Sequence, residues 1–233
     1  LVARDFFIYM HVFKRDFFDK PPVSDDKNPI LAVFLFKNRE SYIKGIQTLG
    51  IDIGEDGDHD SVGDGYFSSN RQKRNFMVIN YRDDYDAGMT IFSHELAHAL
   101  MKTEFANPPA WLNEGIATML EHCTVVNSQL RYIPGPTTTR LKERLEEGTI
   151  VELARLLKAT PRDYSDDKDS SHFYNAAELF CRFLHSRNQL LPVYRGLRDA
   201  HGDIDSSEVV RRVTGLTPDQ LQRTWHDWLG KQD

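Results

Sequence analysis

The chain contains few cysteines and no long hydrophobic run. Two cysteines in 233 residues cannot form a disulfide scaffold, and a chain of this length buries enough apolar surface to fold without one. No continuous apolar stretch reaches the roughly 18 to 20 residues that a membrane-spanning helix needs. These features predict one globular domain over residues 1–233 with no transmembrane segment.

Basic residues are also in the minority. The chain has 29 Lys and Arg against 35 Asp and Glu, which gives a formal net charge of -6. Binding to nucleic acid requires a concentrated basic surface, so we expect no nucleic acid as a partner. The strongest basic cluster, RQKR at Arg71 to Arg74, is interpreted as a solvated turn.

Both cysteines, Cys123 and Cys181, fall in segments whose pattern predicts helices. Two buried thiols are favoured over a disulfide, because buried free cysteine is common and sequence gives no distance between the two positions. The cysteines therefore leave the redox compartment undecided. The chain begins at Leu1 rather than Met, which is compatible with a leader removed before residue 1.

Three short segments rich in aromatic and branched residues predict strands in the first part of the chain. They read DFFIYMHVF near the start, NPILAVFLF from Asn28 and NFMVINY from Asn75. After the second segment, KNRESYIKGIQTLG has the apolar spacing of an amphipathic helix and ends at Gly50, a typical helix stop.

Helical spacing replaces the strand pattern from Asp83 onward and continues to the C-terminus. The sequence therefore predicts an α+β fold. A small mixed β-sheet subdomain, residues 1–89, precedes a mainly helical subdomain, residues 90–233, which opens with a helix of largely uncharged residues.

An acidic, glycine-rich segment, DIGEDGDHDSVGDGY, begins at residue 52. Asp56, Asp58 and Asp60 have the spacing of the first calcium ligands in an EF-hand loop. However, Ser61 replaces the expected glycine and Phe67 stands where the bidentate glutamate belongs. A flexible surface loop is therefore favoured over a calcium site in 52–65, and the calcium alternative stays open.

The segment TIFSHELAHALM contains the pattern His-Glu-x-x-His. His94 and His98 are four residues apart, so on a helix both imidazoles lie on one face, one turn apart. Glu95 lies about 100° further around the helix, where it can reach a group bound at a metal without being a ligand itself. Imidazole is a neutral ligand for zinc, and a nearby carboxylate can take a proton from water that the metal has acidified. The pattern thus predicts a zinc site.

A third ligand is available in NPPAWLNEG, which follows the first helix. Asn107, Pro108 and Pro109 are expected to break that helix, with Asn107 as the cap of a second. Glu114 falls in the first turns of the second helix, among apolar neighbours. An antiparallel return of this length can bring its carboxylate back to His94 and His98.

These two segments resemble the gluzincin group of zinc metallopeptidases, and more narrowly the bacterial peptidase MA-like family. The likeness is close over Thr90 to Glu121 and weaker in FYNAAELFCRFL, LRDAHGD and TPDQLQRTWHDWL. It implies a zincin-like fold, a secreted or cell-envelope location and a peptide or protein substrate. It also implies Zn²⁺ as the cofactor, with His94, His98 and Glu114 as ligands and Glu95 as general base.

The chain departs from thermolysin-like enzymes at one position. These enzymes have an Asp four residues after the ligand Glu, where it orients the first histidine, and this chain has Thr118. We expect Glu121 or a backbone carbonyl to hold the imidazole instead.

Hydrolysis of a peptide bond also needs a donor for the oxyanion. The resemblance suggests a Tyr or His from the later helices, and SSHFYNAAELF offers Tyr174 first and His172 second. Simple core packing is the alternative for Tyr174, since Phe173, Ala177 and Phe180 already form an apolar stripe beside it.

The predicted function is zinc-dependent hydrolysis of peptide bonds. The alternatives are a zinc-bearing binding or scaffold protein without turnover, a partner-binding module whose histidines belong to the core, and a zinc hydrolase of a non-peptide amide. Glu95 favours an enzyme, because a purely structural zinc site has no use for a base.

Overall fold

The computed structural model separates into two compact units and describes most of the chain. Unit 1 comprises Leu1–Glu104 and Asn127–Gln129, and unit 2 comprises Phe105–Val126 and Leu130–Asp233. The described residues are 2–16, 31–51, 63–69, 75–82, 84–127, 129–133, 136–165, 170–200 and 205–232. They form a mixed α+β structure that is mostly helical. Within these ranges, every helix is too short or too polar to cross a membrane.

Unit 1 contains a small mixed sheet between helices. Its elements are α1 (Val2–Asp16), β1 (Leu31–Phe36), α2 (Arg39–Thr48), β2 (Gly65–Ser69), β3 (Asn75–Asn80) and α3 (Tyr85–Glu104). The strand order is β1-β3-β2, with β1 parallel and β2 antiparallel to the central strand β3. The predicted small mixed sheet ahead of the helix with the histidine pattern is therefore confirmed.

The prediction of a strand at DFFIYMHVF is wrong, because this segment lies in helix α1. Val12 and Phe13 are buried, and the Tyr9 and Phe13 rings stack edge to face across one turn, with centroids 5.7 Å apart. Tyr85, at the start of α3, donates a hydrogen bond to Asp5 of α1 over 2.8 Å. Packing of one helical face against α3 thus outweighs the local preference of aromatic residues for strands.

Helix α2 forms where its apolar spacing predicts it. Asn38 caps it through a capping box with Ser41, and Gly50 follows its end with a φ of +67°. Tyr42, Ile43 and Ile46 face the central strand β3, where they form a core with Val78.

Strand β2 was not predicted, since its sequence GYFSS begins inside the acidic, glycine-rich segment. Two other interpretations fall outside the described residues. These are the calcium-like aspartates at 56, 58 and 60 and the basic cluster at 71–74.

The remaining elements follow α3 in the chain. They are α4 (Ala110–Glu121), β4 (Cys123–Val126), β5 (Gln129–Tyr132), α5 (Pro136–Glu146), α6 (Leu153–Leu156), a short 3-10 helix (Pro161–Tyr164), α7 (Ser170–Ser186), α8 (Leu190–Arg198), α9 (Ser206–Thr214) and α10 (Pro218–Leu229). This confirms a mainly helical second half.

Two short strands that were not predicted, β4 and β5, interrupt the helices of the second half and pair with each other. Cys123 accordingly begins a strand, not a helix as predicted. Branched residues in CTVV favour the extended backbone, and Asn127, with a φ of +52°, adopts the left-handed conformation of a turn. Both cysteines are free thiols, as predicted; Cys181 is buried in α7, whereas Cys123 is only partly buried.

Helix α7 is the centre of unit 2. Its buried face includes Phe173, Phe180 and Phe183, and α4, α5, α6, α8 and α10 all pack against this helix. Trp225 of α10 is fully buried against Phe180, with ring centroids 5.5 Å apart. This core holds α4, the helix that carries Glu114.

Candidate metal centre

Helix α3 carries both predicted histidines in a largely uncharged stretch. Phe92, Ser93, Leu96, Ala97 and Ala99 are buried, and the helix packs on β2, β3 and α1. The only charged side chain buried within the stretch is Glu95, and the two histidines are half-buried. This stretch of α3 is therefore part of the core, and its polar side chains are grouped at His94, Glu95 and His98.

The two imidazoles meet within α3. His94 Nε2 and His98 Nε2 are 2.9 Å apart, and the ring planes are nearly perpendicular, with centroids separated by 4.6 Å. Only one N–H can lie between two nitrogens at this distance, so one ring donates to the other. Two ligands of a tetrahedral zinc ion, each bonded at about 2.0 to 2.1 Å, would be about 3.3 Å apart. The pair is thus spaced almost as zinc requires.

Glu95 lies beneath the first residue of β2. Its side chain is 8% exposed, and a Cβ added at Gly65 would lie 2.8 Å from its Oε1 and 2.9 Å from its Cγ. Real Cβ atoms almost never approach so closely. Because Gly65 has no side chain, the carboxylate of Glu95 has room beneath it.

Asp64 fixes the backbone next to Gly65. It accepts hydrogen bonds from Asn80 Nδ2 over 2.8 Å and Arg39 Nη1 over 3.3 Å, and it pairs with Arg82. The backbone N–H of Asn80 also donates to the carbonyl of Asp64 over 2.8 Å. These contacts hold the edge of the sheet over Glu95.

A second group near Glu95 is the phenol of Tyr42 in α2. Burial, together with the negative charge of Glu95, raises the pKa of Tyr42 to about 12. Its hydroxyl is buried without a hydrogen-bond partner among the described residues. Tyr42 therefore places a neutral O–H group in the electrostatic field of Glu95.

In unit 2, helix α4 begins at Ala110 with Pro109 as its N-cap and without a side-chain capping bond. The prediction that Asn107 caps this helix is therefore wrong. The proline ring holds Pro109 at a φ of -55°, and its ψ is extended. This backbone conformation starts the helix without a polar cap. Trp111 anchors the first turn, since its indole N–H donates to Ser206 of α9 over 3.2 Å.

Glu114 lies in the second turn of α4 and is half-buried. Trp111, Leu112 and Ile116 around it are buried, as predicted. Asn113 Nδ2 donates to Glu114 Oε1 over 2.9 Å, which orients the carboxylate.

Gly115, next to Glu114, lies in close contact with α7. A Cβ here would lie 2.7 Å from the carbonyl oxygen of Ala177 and 2.7 Å from Cys181 Sγ. Only glycine permits this approach, so the backbone beside Glu114 is set directly on α7.

The two candidate oxyanion donors both lie in the first turns of α7 and are half-buried. Tyr174 stacks edge to face on Tyr164, with ring centroids 5.0 Å apart. Arg144 Nη1 donates to His172 Nδ1 over 2.9 Å. An arginine can only donate, so His172 keeps its lone pair on Nδ1 and its proton on Nε2, which can serve as a donor.

Tyr164 is a further group in this region that sequence reasoning did not select. Burial raises the pKa of its phenol far above the usual range, and the charge of Glu114 is the next largest cause. Its hydroxyl is buried and makes no hydrogen bond within the described part of the chain.

Thr118 does not replace the Asp of thermolysin-like enzymes. It is 7% exposed, and its hydroxyl lacks a hydrogen-bond partner among the described residues. Glu121 is the last residue of α4 and is half-buried. Its expected role as partner of an imidazole stays a prediction.

Sequence reasoning missed Gly65, Tyr42, Tyr164 and Gly115. Each acts through a contact with a residue distant in the chain, and a single sequence contains no signal for such contacts. The acidic segment before Gly65 even favoured a loop there. Comparison with known proteins adds no further guide, because no protein-family model, curated protein or solved structure matches this chain.

Proposed function

We propose that this protein is a zinc-dependent peptide hydrolase of zincin-like α+β fold, as its resemblance to gluzincins implies. The observation that carries the proposal is a group of three side chains, His94, His98 and Glu114. Each offers one possible ligand atom, and all three residues are partly exposed. Two imidazoles and one carboxylate are the ligand set of many catalytic zinc sites.

The residues present fit a zinc ion in chemistry as well as spacing. The histidine nitrogens are 2.9 Å apart, and the carboxylate of Glu114 is held in one orientation by Asn113. Three protein ligands leave a coordination position for a substrate or water, whereas structural zinc sites usually use four. The set therefore favours a catalytic role.

Zinc, when bound, supplies a Lewis acid that polarises the scissile carbonyl and acidifies water at the site. Glu95 is the general base in the proposal. It lies one residue from His94, takes the proton from the attacking water and passes it to the leaving amine. Its burial beneath Gly65 limits the positions that the carboxylate can adopt, which favours a defined proton transfer.

Tyr174 and His172 are the proposed donors to the oxyanion that forms as water attacks the carbonyl. Support for His172 comes from Arg144, which leaves its proton on Nε2. Support for Tyr174 comes from the edge-to-face contact with Tyr164, which restricts its ring. Single Tyr174→Phe and His172→Gln variants, assayed for kcat, distinguish the two.

The experiment that tests the proposal is elemental analysis of purified protein, wild type against Glu114→Ala. We expect about one zinc per chain in the wild type and clearly less in the variant, because the site loses one of three ligands. Glu143→Ala is the matched control, since this glutamate is exposed on α5 and distant in sequence from the ligands.

The wild type is then incubated with a peptide library, with and without a zinc chelator. Cleavage that the chelator abolishes supports the hydrolase. Zinc without cleavage of any peptide would favour a silent zinc protein or a hydrolase of another amide. Absence of zinc from the wild type, even after zinc is supplied, would overturn the proposal.

A further inference from the structure

A fully buried carboxylate, Glu178, lies in the middle of α7 in unit 2. Its Oε1 accepts a hydrogen bond from the Tyr132 hydroxyl over 3.2 Å and is 3.3 Å from His122 Nδ1. Its Oε2 is buried without a hydrogen-bond partner within the described ranges. A buried carboxylate is costly unless other groups balance its charge, so the groups around it need an explanation.

His122 is the residue that directly follows α4, and it faces two acceptors. Its Nδ1 is 3.1 Å from the carbonyl oxygen of Thr118 and 3.3 Å from Glu178 Oε1. Since both neighbours accept, Nδ1 carries a hydrogen, and protonation of the ring at Nε2 makes it a cation. His122 then provides the buried carboxylate with a positive partner.

The other titratable and charged groups around this pair come from four elements. They are Glu121 of α4, Cys123 of β4, Tyr132 of β5, and Cys181 and Arg182 of α7. Burial and the nearby Glu178 raise the pKa of the Cys123 thiol to about 12, so it is neutral. The Arg182 guanidinium lies 3.7 Å from the centre of the Tyr132 ring and donates to Thr138 over 3.0 Å.

Helix α4 is therefore fixed to α7 at two places. Gly115 approaches the backbone of Ala177, and His122, two turns later, pairs with Glu178. Two contacts along one rigid helix define its axis as well as its position. Glu114 is adjacent to the first contact.

We propose that Glu178 is a positioning residue for Glu114. It acts through a proton-dependent ionic contact with His122, at the end of the helix that carries Glu114. In naming Glu114 as a metal ligand, the inference rests on the proposed function. The contact itself is a property of unit 2 and is measurable without metal.

The proton dependence has a definite direction. The hydrogen bond to Glu178 raises the pKa of His122 above its ordinary value of 6.5. A group with a raised folded-state pKa stabilises the fold fully below its unfolded pKa, and this stabilisation is lost as pH rises through the folded pKa. The contact between His122 and Glu178 is therefore expected to stabilise unit 2 more at pH 6 than at pH 9.

The test uses Glu178→Gln and His122→Gln in the full chain, with His185→Gln as control. His185 lies in the last turn of the same helix, and desolvation of its ring lowers its pKa, so its titration affects stability in the opposite direction to that of His122. Thermal unfolding of the metal-free proteins is followed from pH 6 to pH 9. Zinc affinity is measured at pH 7 by competition with a chelator of known affinity.

We expect the loss of stability at alkaline pH to diminish in both test variants and to persist in the control. We also expect zinc to bind up to about tenfold more weakly in both test variants. This is the low end of the range found when residues that support metal ligands are replaced. His122→Gln keeps the test valid if Glu178→Gln does not fold, since its site is half-buried.

Unchanged zinc affinity in variants that have lost the pH dependence would overturn the positioning role. An unchanged pH dependence would overturn the ionic contact. Failure of the wild type to bind zinc would instead overturn the proposed function, and the positioning role with it.

Discussion

Replacing Gly115 by alanine is a direct test of how α7 holds the helix that carries Glu114. The new Cβ would lie 2.7 Å from a backbone oxygen, that of Ala177, and 2.7 Å from Cys181 Sγ. A backbone oxygen in the middle of α7 cannot rotate away, so α4 itself has to shift. The carboxylate of Glu114, one residue earlier, shifts with it.

The size of the effect follows from two opposing contributions. Alanine in a helix interior is favoured over glycine by about 1 kcal/mol. Overpacking of a core costs about 1 to 3 kcal/mol, and contact with immobile backbone places Gly115→Ala at the upper end. The free energy of unfolding should therefore fall by about 2 kcal/mol. For a chain of this size, this lowers Tm by about 4 to 8 °C.

Differential scanning calorimetry of the wild type and Gly115→Ala measures this change, and a chelator competition measures zinc affinity. Gly196→Ala is the control, because that glycine also lies in a helix, α8, and its Cβ would meet only a methyl group of Val209, at 2.8 Å. A side-chain methyl can move, so Gly196→Ala should lower Tm by less than Gly115→Ala does. If Gly115→Ala melts at or above the wild-type Tm and binds zinc equally well, the close contact does not position Glu114.

Two further predictions concern Glu95. Glu95→Gln should retain zinc at the wild-type ratio and lose about 10² to 10⁴ in kcat, the range for a general base, and near wild-type turnover would exclude Glu95 from that role. In Gly65→Ala, the added Cβ would lie 2.5 Å from Ile91 Cγ2 and 2.8 Å from Glu95 Oε1. We expect lower kcat with unchanged zinc content, whereas Gly63→Ala, with its nearest atom at 3.6 Å, should behave as wild type. Equal losses in the two glycine variants would contradict the role of Gly65.

The parts of the fold with a regular local pattern were predictable from sequence. Helix α3 was expected because His94 and His98 are four residues apart among Ile, Phe, Leu and Ala, and β3 because NFMVINY is rich in branched residues and bounded by polar ones. Helix α1 was not, since its aromatic residues favour strands locally and only its contact with α3, including Tyr85, selects the helix. Tertiary packing decides such segments.

The candidate ligands were likewise predictable, because the spacing of His94 and His98 on one helix is a local property. Their setting was not. Gly65 lies over Glu95, and Gly115 lies on α7, through contacts between residues far apart in the chain. Glu178 looks like an ordinary helical glutamate in FYNAAELF, and only the fold makes it a buried partner of His122.

The hydrogen bond from Trp111 to Ser206 joins residues 95 positions apart. During synthesis, α4 therefore leaves the ribosome long before the residue that anchors its first turn. Because closing a loop of this length costs entropy before the contact forms, docking of α4 belongs to the late stages of folding. Nascent chains that end before α9 lack Ser206, so the indole N–H of Trp111 does not have this partner until α9 is made.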